Sequence, residues 1–243
     1  MKQEIVKGTH TAVTIAENAD PFQAFADAVA PQYILGKLLK FTKGDWLAGE
    51  NSERVDQKAS FIVGMPALMT GWVRWHEFKP VEHAMVSIGS RLLPPGRDEL
   101  GHNDPSTWET DDRGDKRDPW QLTSYLPMVA NGEVFTFAAS SKGGFEALGK
   151  LSRVYAAHRR HAPDKLPVVS LGSGGYDHSR REYGYVKTPL FLVTGWVPAS
   201  QFNEIVALAG YDFPDGNEPA PPKDTAAPAS AVKRDDMDDD IPF

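Results

Sequence analysis

The residues best suited to chemistry lie at the end of this chain and in its basic middle. The last nine read DDMDDDIPF: Asp235, Asp236, Asp238, Asp239 and Asp240, broken by Met237, precede Ile241, Pro242 and Phe243. Clustered carboxylates repel and keep such a segment extended and solvated. As the last residue, Phe243 joins an aromatic ring to a carboxylate, and Pro242 stiffens its approach. That combination suits an apolar pocket with a basic rim, the ring inside and the carboxylate on an Arg or Lys. A tail that needed only charge would have no reason to end in three apolar residues.

The second set is basic and aromatic. Lys142, Lys150, Arg153, Arg159, Arg160, Arg180, Arg181 and Lys187 are interleaved with Tyr155, Tyr176, Tyr183 and Tyr185. Lys37, Lys40 and Lys43, beside Phe41 and Trp46, form a smaller group, and Arg74–Trp75 and Arg117 with Trp120 add two more pairs. Sequence-tolerant binding of single strands uses this mixture, cations for phosphates and aromatic faces for bases. Trp72 and Trp196 stand in apolar runs and read as structural.

Net charge agrees only when divided along the chain. The total is −7, but residues 215–243 hold eight acidic and three basic side chains, leaving −2 for the first 214. Within those, residues 142–187 carry nine Lys/Arg against four Asp/Glu, a net of +5 that the acidic total hides. A polyanion partner is therefore compatible with the chain.

Other chemistries find less support. Gly144 to Lys150 has phosphate-loop spacing, yet Leu151 stands where a magnesium-binding hydroxyl belongs and Glu146 would face the phosphates, so an amphipathic helix is the simpler reading. His158 and His161 lack a third ligand at matching spacing. Asp104, Glu109, Asp111, Asp112, Asp115 and Asp118 could hold magnesium for phosphodiester cleavage, but a hydrophilic loop looks the same. Cysteine is absent, which removes disulfides and thiolate metal sites.

The peptide Asp238-Asp239-Asp240-Ile241-Pro242-Phe243 resembles the terminal peptide of bacterial single-stranded DNA-binding proteins, joined there too by a Pro-rich linker. The resemblance implies that Ile241, Pro242 and Phe243 dock into DNA-processing enzymes (a helicase, polymerase, nuclease or recombination mediator), with the aspartates along basic surfaces. Met237 stands where the family has an aromatic residue. The body lacks the Gly/Arg-rich opening strand of the housekeeping proteins, and its layout is more similar to that of phage or mobile-element single-stranded DNA-binding proteins.

These residues must be positioned by a β-rich body. Strands are predicted over 34–41, 59–75, 120–129, 134–138, 166–171 and 183–197. Asn131-Gly132 reads as a hairpin turn, and Pro66 should break the second run. Thr70-Gly71-Trp72-Val73 recurs as Thr194-Gly195-Trp196-Val197, which suggests two strands with similar packing. A short helix is predicted from a cap at Asp20 through Val29, and a longer one over about 143–160. Between Glu77 and Asp118 little regular structure is predicted. From Pro214 the chain is rich in Pro, Ala and small polar residues, a composition that favours disorder.

The expectation is a β-rich fold, all-β or α+β: an OB-fold-like barrel over 1–213 with one main helix, a disordered linker over 214–234, and an acidic tip over 235–243. Its expected function is non-catalytic, coating single-stranded DNA with little sequence preference and recruiting enzymes through the tip, with no cofactor and no metal. A homo-oligomer, a dimer in the first instance, would multiply the tips and raise avidity. The longest apolar run is too short and interrupted to span a bilayer, and the first ten residues do not resemble a secretory signal. A cytoplasmic protein of a bacterial cell or a phage-infected host is expected. The rivals are a recombination or nuclease enzyme bearing the same tail, and an adaptor that does not touch DNA.

Overall fold

The computed structural model describes residues 33–90, 92–111, 114–179 and 184–211. The predicted helix at 20–29, the linker and the tip lie outside the described residues. All elements below belong to the unit that begins at Ile34.

Ten strands form one sheet: β1 Lys37–Thr42, β2 Asp45–Ala48, β3 Glu53–Arg54, β4 Phe61–Val63, β5 Met69–His76, β6 Lys79–Ser87, β7 Trp120–Ala130, β8 Glu133–Ala139, β9 Lys165–Asp177 and β10 Tyr185–Pro198. The main path runs β10-β9-β4-β7-β8-β1-β2-β3, and β5 and β6 branch from β7. Among the described residues two α-helices accompany it, α1 Lys142–His158 and α2 Ala199–Leu208. Among the described residues no helix is long and apolar enough to cross a membrane.

The sheet curls into a half-barrel, and aromatic packing shows how far. The Trp46 ring on β2 lies 5.5 Å from Phe191 on β10, and the Trp46 indole N–H donates to the Gly172 carbonyl on β9 at 2.8 Å. Strands near opposite ends of the path therefore meet. Phe41 and Phe137 complete the cluster, each 5.2 Å from Trp46.

β1 is the one strand of the main path that pairs in parallel, with β8. Buried Thr136 sets its start, accepting from the Leu35 N–H and donating to the Leu35 carbonyl, both at 2.8 Å. Gly36 follows with φ +62, and a Cβ there would come within 2.0 Å of the Val134 carbonyl oxygen, so only glycine fits.

β7 is long because it serves two neighbours in turn, β5 over 120–125 and β4 over 128–129. Pro127, which lacks an N–H, falls at the changeover, where its carbonyl accepts from Gly64 N. Pro66 breaks the preceding run as expected, in a 3-10 turn over Met65–Ala67. Asn131 and Gly132 both take positive φ, 52° and 77°, and close the β7–β8 hairpin.

Four expectations need correction. The 77–118 stretch begins with a nine-residue strand, β6. The rest of that loop is organised on Arg97, whose donors reach both Asp118 carboxylate oxygens, the Asn103 side chain and the Gly101 and His102 carbonyls at 2.7–3.1 Å. A second helix, α2, follows β10 and buries Phe202 and Val206. The two Thr-Gly-Trp-Val segments pack differently: Gly71 is pressed against the β6 backbone, with a virtual Cβ 2.1 Å from the Ala84 carbonyl oxygen, whereas Gly195 has open space.

Candidate nucleic-acid interface

β9 and β10 form an antiparallel ribbon. Its inner half joins the sheet through Phe61↔Val169 and Ile62↔Val168, and its outer half, 172–177 against 185–190, continues beyond those pairs. Successive side chains in a strand alternate between faces. Leu171 is buried and Phe191 belongs to the aromatic cluster, so the concave face of the sheet continues along the ribbon through Ser173, Gly175, Tyr185 and Lys187.

Glycine is what lets these side chains lie flat. A Cβ on Gly175 would fall 2.6 Å from the Tyr185 ring, so that ring occupies the space a side chain would need. The Lys187 ammonium lies 5.0 Å from the centroid of the same ring. The β1–β2 turn closes on this spot. Lys43 and Gly44 have positive φ of 51° and 98°, and the Lys187 stem passes 3.5 Å from the position of a Gly44 Cβ. Lys187 and Tyr185 thus lie together beside the β1–β2 turn that carries Lys43, and Tyr185 is 53% exposed. Asp177, paired with Tyr185, is the acidic member of this neighbourhood. A phosphate would find the Lys187 ammonium here, with an aromatic ring for an adjacent base.

The remaining expected residues are distributed elsewhere. Lys40 alternates with buried Leu39 and core-packed Phe41, so it projects from the opposite face of β1. Lys150 and Arg153 lie on the solvent side of α1, opposite the buried stripe of Ala147, Leu148, Leu151 and Tyr155, and Glu146 shares their side. α1 runs beside β10, with Gly143 packed on Thr188 and the His158 ring stacked 3.5 Å from Trp196. Lys142 therefore lies near the outer ribbon. Arg159 and Arg160 lie about 26 Å farther along, from a helical rise of 1.5 Å per residue. Arg159 also covers the Tyr155 ring at 5.5 Å, while burial pushes the Tyr155 phenol up from its ordinary value.

Burial removes three aromatic candidates from a DNA surface. Trp46 is 1% exposed and belongs to the core, not to a DNA surface. Trp120 and Tyr155 are likewise buried. Arg74 is engaged by Glu82 across the β5–β6 ladder at 2.9 Å, and its neighbour Trp75 is half-buried with its indole N–H turned inward. The Gly144–Lys150 segment is part of α1, as the amphipathic reading required. In the acidic loop, Asp118 grips Arg97, and the Glu109 carboxylate accepts from Glu77 N and contacts His76. Those hydrogen bonds, the backbone one foremost, hold Glu109 below its ordinary value.

Arg180, Arg181 and Tyr183, between the ribbon strands, and Asp235 to Phe243 lie outside the described residues. Sequence reasoning missed Gly44, whose φ of +98° turns the chain beside Lys187, and Gly175, whose missing side chain leaves room for the Tyr185 ring; for Gly175 the GSGG run of β9 was the available signal. No family model matches the chain, and comparison with curated proteins and with solved structures returned no similar protein.

Proposed function

We propose that this chain is a non-catalytic single-stranded DNA-binding protein whose body is an OB-type barrel and whose acidic end recruits DNA-processing enzymes. The observation that carries the reading is Lys187 beside the exposed Tyr185 ring on the concave face of the β9–β10 ribbon, next to the β1–β2 turn that carries Lys43. The net +5 of residues 142–187 and the DDDIPF terminus support it from the sequence. Affinity comes from counterion release at the lysines and stacking on tyrosine, neither of which reads base identity. Recruitment comes from Ile241, Pro242 and Phe243.

Titration of labelled oligo-dT over a series of salt concentrations tests the body. Binding should weaken linearly on a log–log plot, and Lys43→Ala with Lys187→Ala should flatten the slope by about 1.4. An unchanged slope in the folded double variant refutes the site. Deleting Phe243 tests the tip: DNA affinity should persist while capture of a helicase or recombination mediator is lost.

A further inference from the structure

α1 carries its charges on the side that the core does not use. Its buried stripe is Ala147, Leu148, Leu151 and Tyr155. Residues three and four apart are neighbours on a helix surface, so Lys150, Arg153, Val154, Ala157 and Arg160 form one ridge about 15 Å long away from that stripe. All five are exposed. Val154, at 46%, is the exposed large apolar side chain of α1.

The cations of this ridge differ from those elsewhere. Lys37 is compensated by Glu133, Arg54 by Asp45, Arg74 by Glu82 and Arg97 by Asp118. No ion pair joins Lys150, Arg153 or Arg160 to a described residue, and the one carboxylate that α1 carries is Glu146. Single strands bind by combining cations with aromatic faces. Here the rings are turned away: Tyr155 is buried, and His158 is stacked on Trp196. Three uncompensated cations around an exposed valine, with no exposed ring among them, suit an acidic peptide with apolar side chains better than they suit bases.

We propose that this ridge is the docking site of the chain's own acidic segment, Asp235–Phe243, which lies outside the described residues. The segment has the complementary chemistry: five carboxylates over 235–240 for Lys150, Arg153 and Arg160, followed by Ile241, Pro242 and Phe243 for Val154 and the Ala157 methyl. Its tether is long enough. Twenty-four residues lead from Tyr211 to Asp235, a contour of up to about 80 Å. Exposed ion pairs are individually weak, so the contact depends on that tether, which holds the segment at an effective concentration on the order of millimolar. For the same reason the chain's own segment is favoured over that of a second copy at micromolar concentration. The contact does not need the DNA reading. Its consequence does rest on the proposed function: a DNA-processing enzyme must take Ile241, Pro242 and Phe243 from α1 before it is recruited.

NMR of the full, DNA-free chain tests the contact independently of any DNA site. The chain has no cysteine, so Met237→Cys provides a single attachment point for a nitroxide. At low salt the amides of Lys150, Arg153, Val154, Ala157 and Arg160 should lose about half of their intensity, as a millimolar contact does at this effective concentration. They should recover near 1 M salt, where the Debye length is about 3 Å. Lys150→Glu combined with Arg153→Glu should abolish the loss. Replacing all five aspartates of the segment with asparagine should abolish it too, and leaves the body untouched should the helix variant fail to fold. Isotope-labelled chain without nitroxide, mixed at micromolar concentration with spin-labelled chain, should show no loss. An undiminished α1, broadening centred instead on Tyr185 and Lys187, or broadening that passes between copies overturns the proposal.

Discussion

The β9–β10 and β5–β6 hairpins have opposite chemistry. In the first, Lys187 lies beside a tyrosine ring, and Gly175 on the facing strand clears room for that ring. In the second, Arg74 is taken by Glu82, His76 by Glu109, and the exposed Phe78 stands among carboxylates. Both hairpins contain basic and aromatic residues, so composition alone would score them alike. The difference is what surrounds each cation: an arginine held at 2.9 Å by a carboxylate has its charge compensated before any phosphate arrives. Of the two hairpins, the ribbon is therefore the one that suits the nucleic-acid contacts of the proposed function.

Replacing Lys43, Tyr185 and Lys187 together with alanine should produce the largest effect on DNA. Stacking contributes ~1–3 kcal/mol per base, and the two lysines add phosphate contacts, so affinity for oligo-dT should fall by about 100-fold or more at low salt. Arg74→Ala should change it less than twofold. Fluorescence anisotropy reads both, and comparable losses would erase the distinction between the hairpins.

Trp46→Phe should act on the fold instead. It loses the indole bond to Gly172, a contribution of about 1 kcal/mol, along with some packing between β2 and β10. Thermal unfolding should shift down by several degrees, with oligo-dT affinity within twofold of wild type. A large loss of affinity at unchanged stability would return Trp46 to the binding surface.

The α1 arginines come next in size. Arg153→Ala, Arg159→Ala and Arg160→Ala combined should weaken DNA binding less than the ribbon triple variant and flatten the salt slope less, because these side chains lie on the solvent side or far end of a helix packed beside β10. A loss equal to that of the ribbon variant would mean that DNA continues over α1.

Much of the scaffold was legible in the sequence because its signals are local. Asn131-Gly132 specifies a left-handed turn, and Phe145, Leu148, Ser152 and Tyr155 recur at helical spacing, although the side that is buried is that of Leu148, Leu151 and Tyr155. β6 was not legible: KPVEHAMVS is an edge strand partly exposed on both faces, so burial imposes no alternation on it. α2 begins after Pro198 with no side-chain cap, and nothing in the sequence announced its start. The outer end of β9 was hidden by Gly172, Gly174 and Gly175, which favour strands poorly but make room for the side chains of Leu190 and Tyr185. The site was legible as a set of residue types and not as a place. Trp46 shares a segment with Lys40 and Lys43, yet alternation sends it into the core and Lys40 to the other face of β1. Only the curl of the sheet brings the β1–β2 turn, at Gly44, to Lys187.

The smallest expected effect concerns how the β5–β6 turn is held. Left-handed φ costs a residue other than glycine roughly 1–2 kcal/mol, and Glu77 and Phe78 both adopt it, whereas the β7–β8 turn uses Asn and Gly. The Glu109 carboxylate accepts from Glu77 N at 3.1 Å and meets His76 Nδ1 at 2.7 Å, and these bonds lower its pKa below the ordinary 4.5. A carboxyl whose folded-state pKa is depressed contributes stability above its unfolded value and loses it as pH falls through the folded value. The clamp should therefore be complete at neutral pH and weaken only below about pH 4.5. Glu109 is exposed, so the change in global stability should be small, and a local probe is needed. In NMR titrations the Glu77 amide resonance should move with a midpoint below 4.5, and Glu109→Gln should abolish that movement while keeping an acceptor for the amide. The Gly132 amide should show no matching transition. A Glu77 midpoint at or above 4.5 would mean that the carboxylate does not hold the turn, and that the two left-handed turns differ in sequence but not in what maintains them.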